Sequence, residues 1–179
     1  VLINIRYIRY DNSSLYTDGK INYTNVSRDY ISFNFDIKNF KFFKALKYAS
    51  ITYGITISVN VILTLLLYYY EVDLNEQEIV RELSTGSLKQ LTFMTPIMVI
   101  FAPVLEEFTF RWLLFEKVFR PRLGVYTSAL VSSILFSLVH FNLRSLAVLM
   151  VISFINCYII HRKGYWYAVF NHMVFNSVT

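Results

Sequence analysis

The sequence predicts an all-α, polytopic transmembrane helical bundle with about five membrane-spanning segments, and three observations lead there. Hydrophobic residues make up 55% of the 179 positions and charged residues only 16%, whereas a soluble domain carries about 25% charged residues. The apolar residues gather into runs of membrane-crossing length, and the mean hydropathy is +0.44. Lysine and arginine collect in the breaks between those runs, as topology-setting loops require.

Two zones follow from the composition: a polar, basic N-terminal segment over 1–47 and a membrane-embedded helical domain over 48–179. Segment 1–47 holds eight of the 17 Lys and Arg residues. It has no apolar h-region, so no cleavable signal peptide is expected there. Towards its end, Phe33, Phe35, Phe40, Phe42 and Phe43 alternate with Lys38, Lys41, Lys44 and Lys47. That pattern suits either a helix lying on a membrane surface or a positively charged lead-in to the first span.

The first span is expected over Tyr48–Tyr70, long enough at ~1.5 Å per residue to cross a ~30 Å core. An acidic stretch, 71–90, comes next. The following apolar run starts at Leu91, and Pro103 predicts a break or kink before a helix that reaches about Phe119. Segment 117–122 is basic and contains Pro121, which predicts a turn. Further spans are expected over 123–141 and 143–160, and His161-Arg162-Lys163-Gly164 precedes a last helix from Tyr165. Placing the basic breaks in the cytoplasm makes the N-terminus cytoplasmic.

The net charge of +5 raises nucleic-acid binding. The cations sit in inter-span breaks rather than on one face, so no nucleic-acid partner is expected. Cys157 has no second cysteine to pair with and reads as a small apolar filler.

Glu106, Glu107 and Arg111 interrupt an otherwise apolar stretch. Each charge facing lipid at mid-helix would cost about 2.5–3.5 kcal/mol, so the three must pair, protonate or face a polar cavity. Glu107 and Arg111 stand at i and i+4 in the favourable order for an ion pair. Glu106, about 100° around the helix, is then the spare carboxylate and a natural general base. The same three residues could instead simply hold helices together. His140 lies one turn beyond Phe136 on the same face, near a helix end, where a lone histidine is more often an interface residue than a catalyst. His172 and Asn176 share a face of the last helix and could hydrogen-bond to neighbouring helices.

Counting from a turn near Arg122 puts Glu106 and His140 at similar depth. The same counting from Gly164 places His172 shallower and favours Asn176 for that level. The sequence has no HExxH helix and no GxSG motif, and all five aspartates precede the apolar motif region. Glutamate and histidine chemistry remains.

Glu106-Glu107-Phe108-Thr109-Phe110-Arg111, Phe136-Ser137-Leu138-Val139-His140 and His172-Met173-Val174-Phe175-Asn176 resemble, in order, the EExxxR, FxxxH and HxxxN motifs of the CPBP family. That family groups CAAX-type prenyl-protein endopeptidases with bacterial Abi relatives linked to bacteriocin processing and self-immunity. The resemblance covers roughly residues 91–179. It implies an intramembrane endopeptidase in which Glu106 activates a water with help from His140. His172 and Asn176 would stabilise the oxyanion, and Glu107 with Arg111 would brace the site. No cofactor is expected; a zinc ion at Glu106, His140 and His172 is the alternative.

The expected partners are a membrane-associated protein or peptide substrate and the lipid bilayer. Asn, Ile, Lys, Tyr and Phe enrichment suits an AT-rich genome and a bacterial plasma membrane. Two other functions fit the same residues: a non-catalytic immunity or scaffold protein binding through the polar cavity, and a small transporter.

Overall fold

A computed structural model of the chain describes residues 16–17, 20–21, 35–72 and 86–178. The chain divides into two units, 1–33 and 34–179. In the first, strands β1 (Tyr16–Thr17) and β2 (Lys20–Ile21) pair antiparallel, Tyr16 opposite Ile21 and Thr17 opposite Lys20. The second unit is helical among its described residues and is the expected membrane bundle. Most of the acidic stretch, 73–85, lies outside the described residues.

The second unit begins with a strap, residues 35–41, containing one 3-10 turn over Ile37–Asn39. Asp36 caps that turn by accepting from the Lys38 main-chain N–H at 2.9 Å. Helix α1 (Phe42–Tyr69) then starts at Phe42, within the segment read as N-terminal. Its buried positions are Ala45, Ala49, Thr52 and Thr56, a narrow stripe of small side chains. Much of its remaining surface is apolar, with Ile51, Ile55, Ile57, Val61, Ile62, Leu65 and Leu66 exposed, as a lipid-facing helix should be. Small residues allow close backbone approach where no hydrophobic driving force separates lipid from protein.

Helix α2 (88–119) is capped by the Ser87 hydroxyl, which accepts from the Gln90 N–H at 3.3 Å. The break or kink expected at Pro103 takes the form of a change of hydrogen-bond ladder within a continuous helix. Over Ile97–Phe101 the bonds slip from i→i+4 to i→i+5, return to α over Ala102–Glu106, and slip again over Glu107–Phe119. Pro103 has no N–H and its ring crowds the carbonyl four residues back, so a wider π turn accommodates it without ending the helix.

The turn expected at 117–122 also moves. Arg120 and Pro121 are still helical, and α3 (Arg120–Leu138) bends at Gly124, with φ 75° and ψ 178°. Proline is tolerated in a first turn, whereas that φ/ψ region is essentially glycine-only. Beyond the bend α3 packs back along α2, burying Ser128, Ala129, Ser132, Ser133, Phe136 and Ser137. Ser132 donates to the Phe110 carbonyl at 2.8 Å, joining the two arms.

Helix α4 (Leu143–Lys163) starts at an Asn142 cap, whose side chain accepts from the Ser145 N–H at 2.9 Å. It ends on Arg162 and Lys163, cations that complement the helix dipole, and on Gly164 at φ 102°. Helix α5 (Tyr165–Val178) is the most enclosed, burying Tyr165, Tyr167, Ala168, Val169, Asn171, His172 and Phe175.

Among the described residues three helices are long and apolar enough to cross a membrane: Phe42–Tyr69, the bent Leu88–Leu138 and Leu143–Lys163. Glu107, Arg111, Asn156, Asn171 and His172 are buried while large apolar side chains make up much of the exposed surface, as a bilayer favours.

The strap closes over the start of α5. Trp166 Nε1 donates to the Phe35 carbonyl at 2.8 Å, and the Lys41 N–H donates to the Tyr167 hydroxyl at 3.0 Å. Phe40 stacks against Tyr167 and Phe170.

A Cβ at Gly124 would meet nothing within 4 Å, so substitution there is limited by conformation alone. Gly124→Ala is expected to destabilise the bundle by about 1–3 kcal/mol, whereas D-alanine at the same position should be nearly neutral. Unfolding of the detergent-solubilised protein measures both.

Candidate active site

The site is organised around a fully buried carboxylate. Glu107, at the start of the second π stretch of α2, is 0% exposed, and so is Arg111 one turn on. Arg111 Nε lies 3.2 Å from Glu107 Oε2, so the ion pair expected from their spacing is formed. The other oxygen, Oε1, accepts from Asn156 Nδ2 of α4 at 2.9 Å and from His172 Nδ1 of α5 at 2.8 Å. Asn171 Nδ2 donates in turn to Asn156 Oδ1 at 2.6 Å. One carboxylate on α2 therefore holds α4 and α5 together through a chain of buried polar side chains.

This geometry fixes the His172 ring. A carboxylate paired with arginine accepts, so Nδ1 carries the proton, and Nε2 faces the other way. That nitrogen lies 3.6 Å from Oε2 of Glu106. The Glu106 side chain is 29% exposed against 0% for Glu107. The adjacent glutamates thus differ in role: one is buried and committed to structure, the other reaches open space beside a histidine nitrogen.

Depth counting fails for the last helix. His172 sits level with Glu106 and Glu107, and Asn176 lies further along, its Nδ2 3.0 Å from the Met98 carbonyl. The reason is the position of the α4–α5 turn. Asn156 and His172 are each eight residues from Gly164, hence at equal depth, and both bond to Glu107. Glu107 is 17 residues from the Gly124 bend, so the Gly164 turn is recessed into the bundle. The Tyr165 hydroxyl, immediately after that turn, already donates to the Val104 carbonyl at 2.6 Å.

His140 enters through Phe136. Its Nδ1 lies 2.7 Å from the Phe136 carbonyl, an acceptor only, so the proton is on Nδ1 and Nε2 is left as the free base in the neutral ring. The buried Phe136 ring touches His140 (centroids 4.8 Å), His172 (5.7 Å) and Phe110 (5.2 Å), with the Arg111 guanidinium carbon 4.1 Å from its centre. Arginine over an aromatic face gains from the ring quadrupole when desolvated. No hydrogen bond or ion pair joins His140 to Glu106 among the described residues.

The structure thus brings Glu106, Glu107, Arg111 and His172 into direct contact, with His140 attached through Phe136 and Asn176 one turn beyond His172. Asn156 and Asn171 complete the network and were not singled out in the sequence. Each is an amide in an apolar run, the same signal that marked Glu106 and His140, at a residue type that intrudes less conspicuously. Of the residues the zinc alternative would use, Glu106 and His172 are in contact, and His140 meets His172 across the Phe136 ring.

Residues 88–178, just over half of the chain, match the family described as Type II CAAX prenyl endopeptidase Rce1-like. The chain belongs to that family. A relative from Bacillus subtilis (strain 168), described as "Putative membrane peptidase YdiL", is 26% identical over 99 residues. The aligned part is 52% of this chain and 40% of that protein, so this chain matches two fifths of the relative's length. No solved structure matches.

Removing one partner of a buried pair leaves an uncompensated charge. Arg111→Met should destabilise the protein by about 3–5 kcal/mol, and adding Glu107→Gln should recover part of that loss. A double-mutant cycle on unfolding free energies checks the sign of the coupling.

Proposed function

We propose that the chain is an intramembrane endopeptidase that hydrolyses a peptide bond in a membrane-associated protein or peptide. The observation that carries this reading is the contrast between the two glutamates: a partly exposed Glu106 carboxylate beside His172 Nε2, on a helix anchored by a buried Glu107–Arg111 pair. Family membership over the same residues supports it, as does the relative described as a membrane peptidase.

Glu106 accepts a proton from a water, and the oxygen attacks the substrate carbonyl carbon. His140, whose Nε2 is free, assists that transfer from beside Phe136. The tetrahedral oxyanion is stabilised by an N–H of Asn176 and, with both ring nitrogens protonated, by Nε2–H of His172. Each such donor is worth about 2.7–4 kcal/mol in a site that excludes water. The proton held by Glu106 then passes to the leaving amine as the C–N bond breaks. Glu107 never touches substrate; it sets the His172 ring. No step is routed through a metal.

The substrate is a protein or peptide of CAAX or bacteriocin-related type, met within a bacterial plasma membrane. The test compares membrane-protein terminal peptides, by mass spectrometry, between cells expressing wild type and expression-matched Glu106→Gln. New termini with wild type only are expected. Identical profiles from folded, inserted protein would instead favour a non-catalytic immunity or scaffold role for the same cavity.

A further inference from the structure

Asn176 is held by an acceptor that a regular helix would not offer. Its Nδ2 donates to the Met98 carbonyl at 3.0 Å. In an uninterrupted α-helix that carbonyl receives the N–H four residues on, from Ala102. Ala102 instead donates to Ile97, because the ladder has slipped to i→i+5. In a slipped ladder Met98 would receive the N–H of residue 103. Residue 103 is proline and has none. Both intrahelical donors are gone, and a carbonyl within a bilayer must find another.

We propose that Pro103 is a positioning residue: by withholding a donor from the Met98 carbonyl, it creates the seat that orients the Asn176 side chain. An amide nitrogen carries two N–H groups. One is spent on Met98 and the other remains for the oxyanion. The seat stands on geometry alone; its catalytic consequence rests on the hydrolytic reading above. Tyr165 and Ser132 also donate to carbonyls of α2, at Val104 and Phe110, but neither belongs to the proposed reaction.

The experiment has two arms. Pro103→Ala supplies the missing N–H, which competes with Asn176 for Met98. Using the substrate identified by terminal-peptide profiling, kcat should fall on the order of ten- to a hundredfold with KM unchanged, and adding Asn176→Ala should cost little more. Replacing Pro103 with lactic acid, the alanine analogue whose ester linkage lacks the N–H, should restore most of the rate. An ester form as impaired as Pro103→Ala would overturn the proposal, because the proline ring would then matter rather than the absent donor. An unchanged kcat in Pro103→Ala would overturn it too.

The second arm needs no activity. The ¹³C resonance of the Met98 carbonyl should shift on Asn176→Ala in the otherwise native protein and stay unmoved on Asn176→Ala in the Pro103→Ala background. Insensitivity in the native background would refute the seat. If the wild type hydrolyses nothing, the hydrolytic reading fails while this resonance still decides the seat.

Discussion

The structure depends on keeping one negative charge inside a membrane bundle. An unpaired carboxylate there would be prohibitive, and a buried pair is least costly when its remaining lone pairs and protons are satisfied. Glu107 has three partners from three helices, Arg111 on its own helix, Asn156 on α4 and His172 on α5, while the terminal nitrogens of Arg111 make no hydrogen bond among the described residues and its guanidinium lies over the Phe136 ring. The requirement that makes the charge costly also makes the arrangement specific. Any register in which α4 or α5 slid by a turn would strip partners from Glu107, so the charge selects one packing among many apolar ones.

Phe136 carries the second part of that specificity. It lies under the Arg111 guanidinium and against both His140 and His172, packing α3 against both α2 and α5. The carbonyls of α2 carry the third. Its ladder slips twice, and Met98, Val104 and Phe110 accept from side chains of α5 and α3. A straight α2 would keep more of these carbonyls within its own ladder and offer fewer to its neighbours. The irregular helix is therefore a source of acceptors as well as a scaffold for Glu106.

Much of this was legible in the residues. Hydropathy and the basic breaks gave the helical membrane class, and charge cost alone marked Glu106, Glu107 and Arg111 with their i,i+4 pairing. The helix boundaries near Pro103 and Pro121 were not legible. A proline signals a disturbed ladder without saying whether the helix ends or widens, and glycine at 124 supplied the only conformation sharp enough to reverse the chain. The depth of His172 was missed because counting assumes that turns lie at the membrane surface, whereas the Gly164 turn is recessed. Asn156 and Asn171 were overlooked because an amide inside an apolar run stands out less than a charge, although in a bilayer it equally needs a partner.

The central claim is that Glu107 fixes the His172 ring so that Nε2 faces Glu106. The side-chain ¹⁵N spectrum of His172 tests it most directly. A proton is expected on Nδ1, its resonance moving strongly in Glu107→Gln and little in Glu106→Gln. A ring protonated on Nε2 alone, or an Nδ1 resonance indifferent to Glu107→Gln, would contradict it.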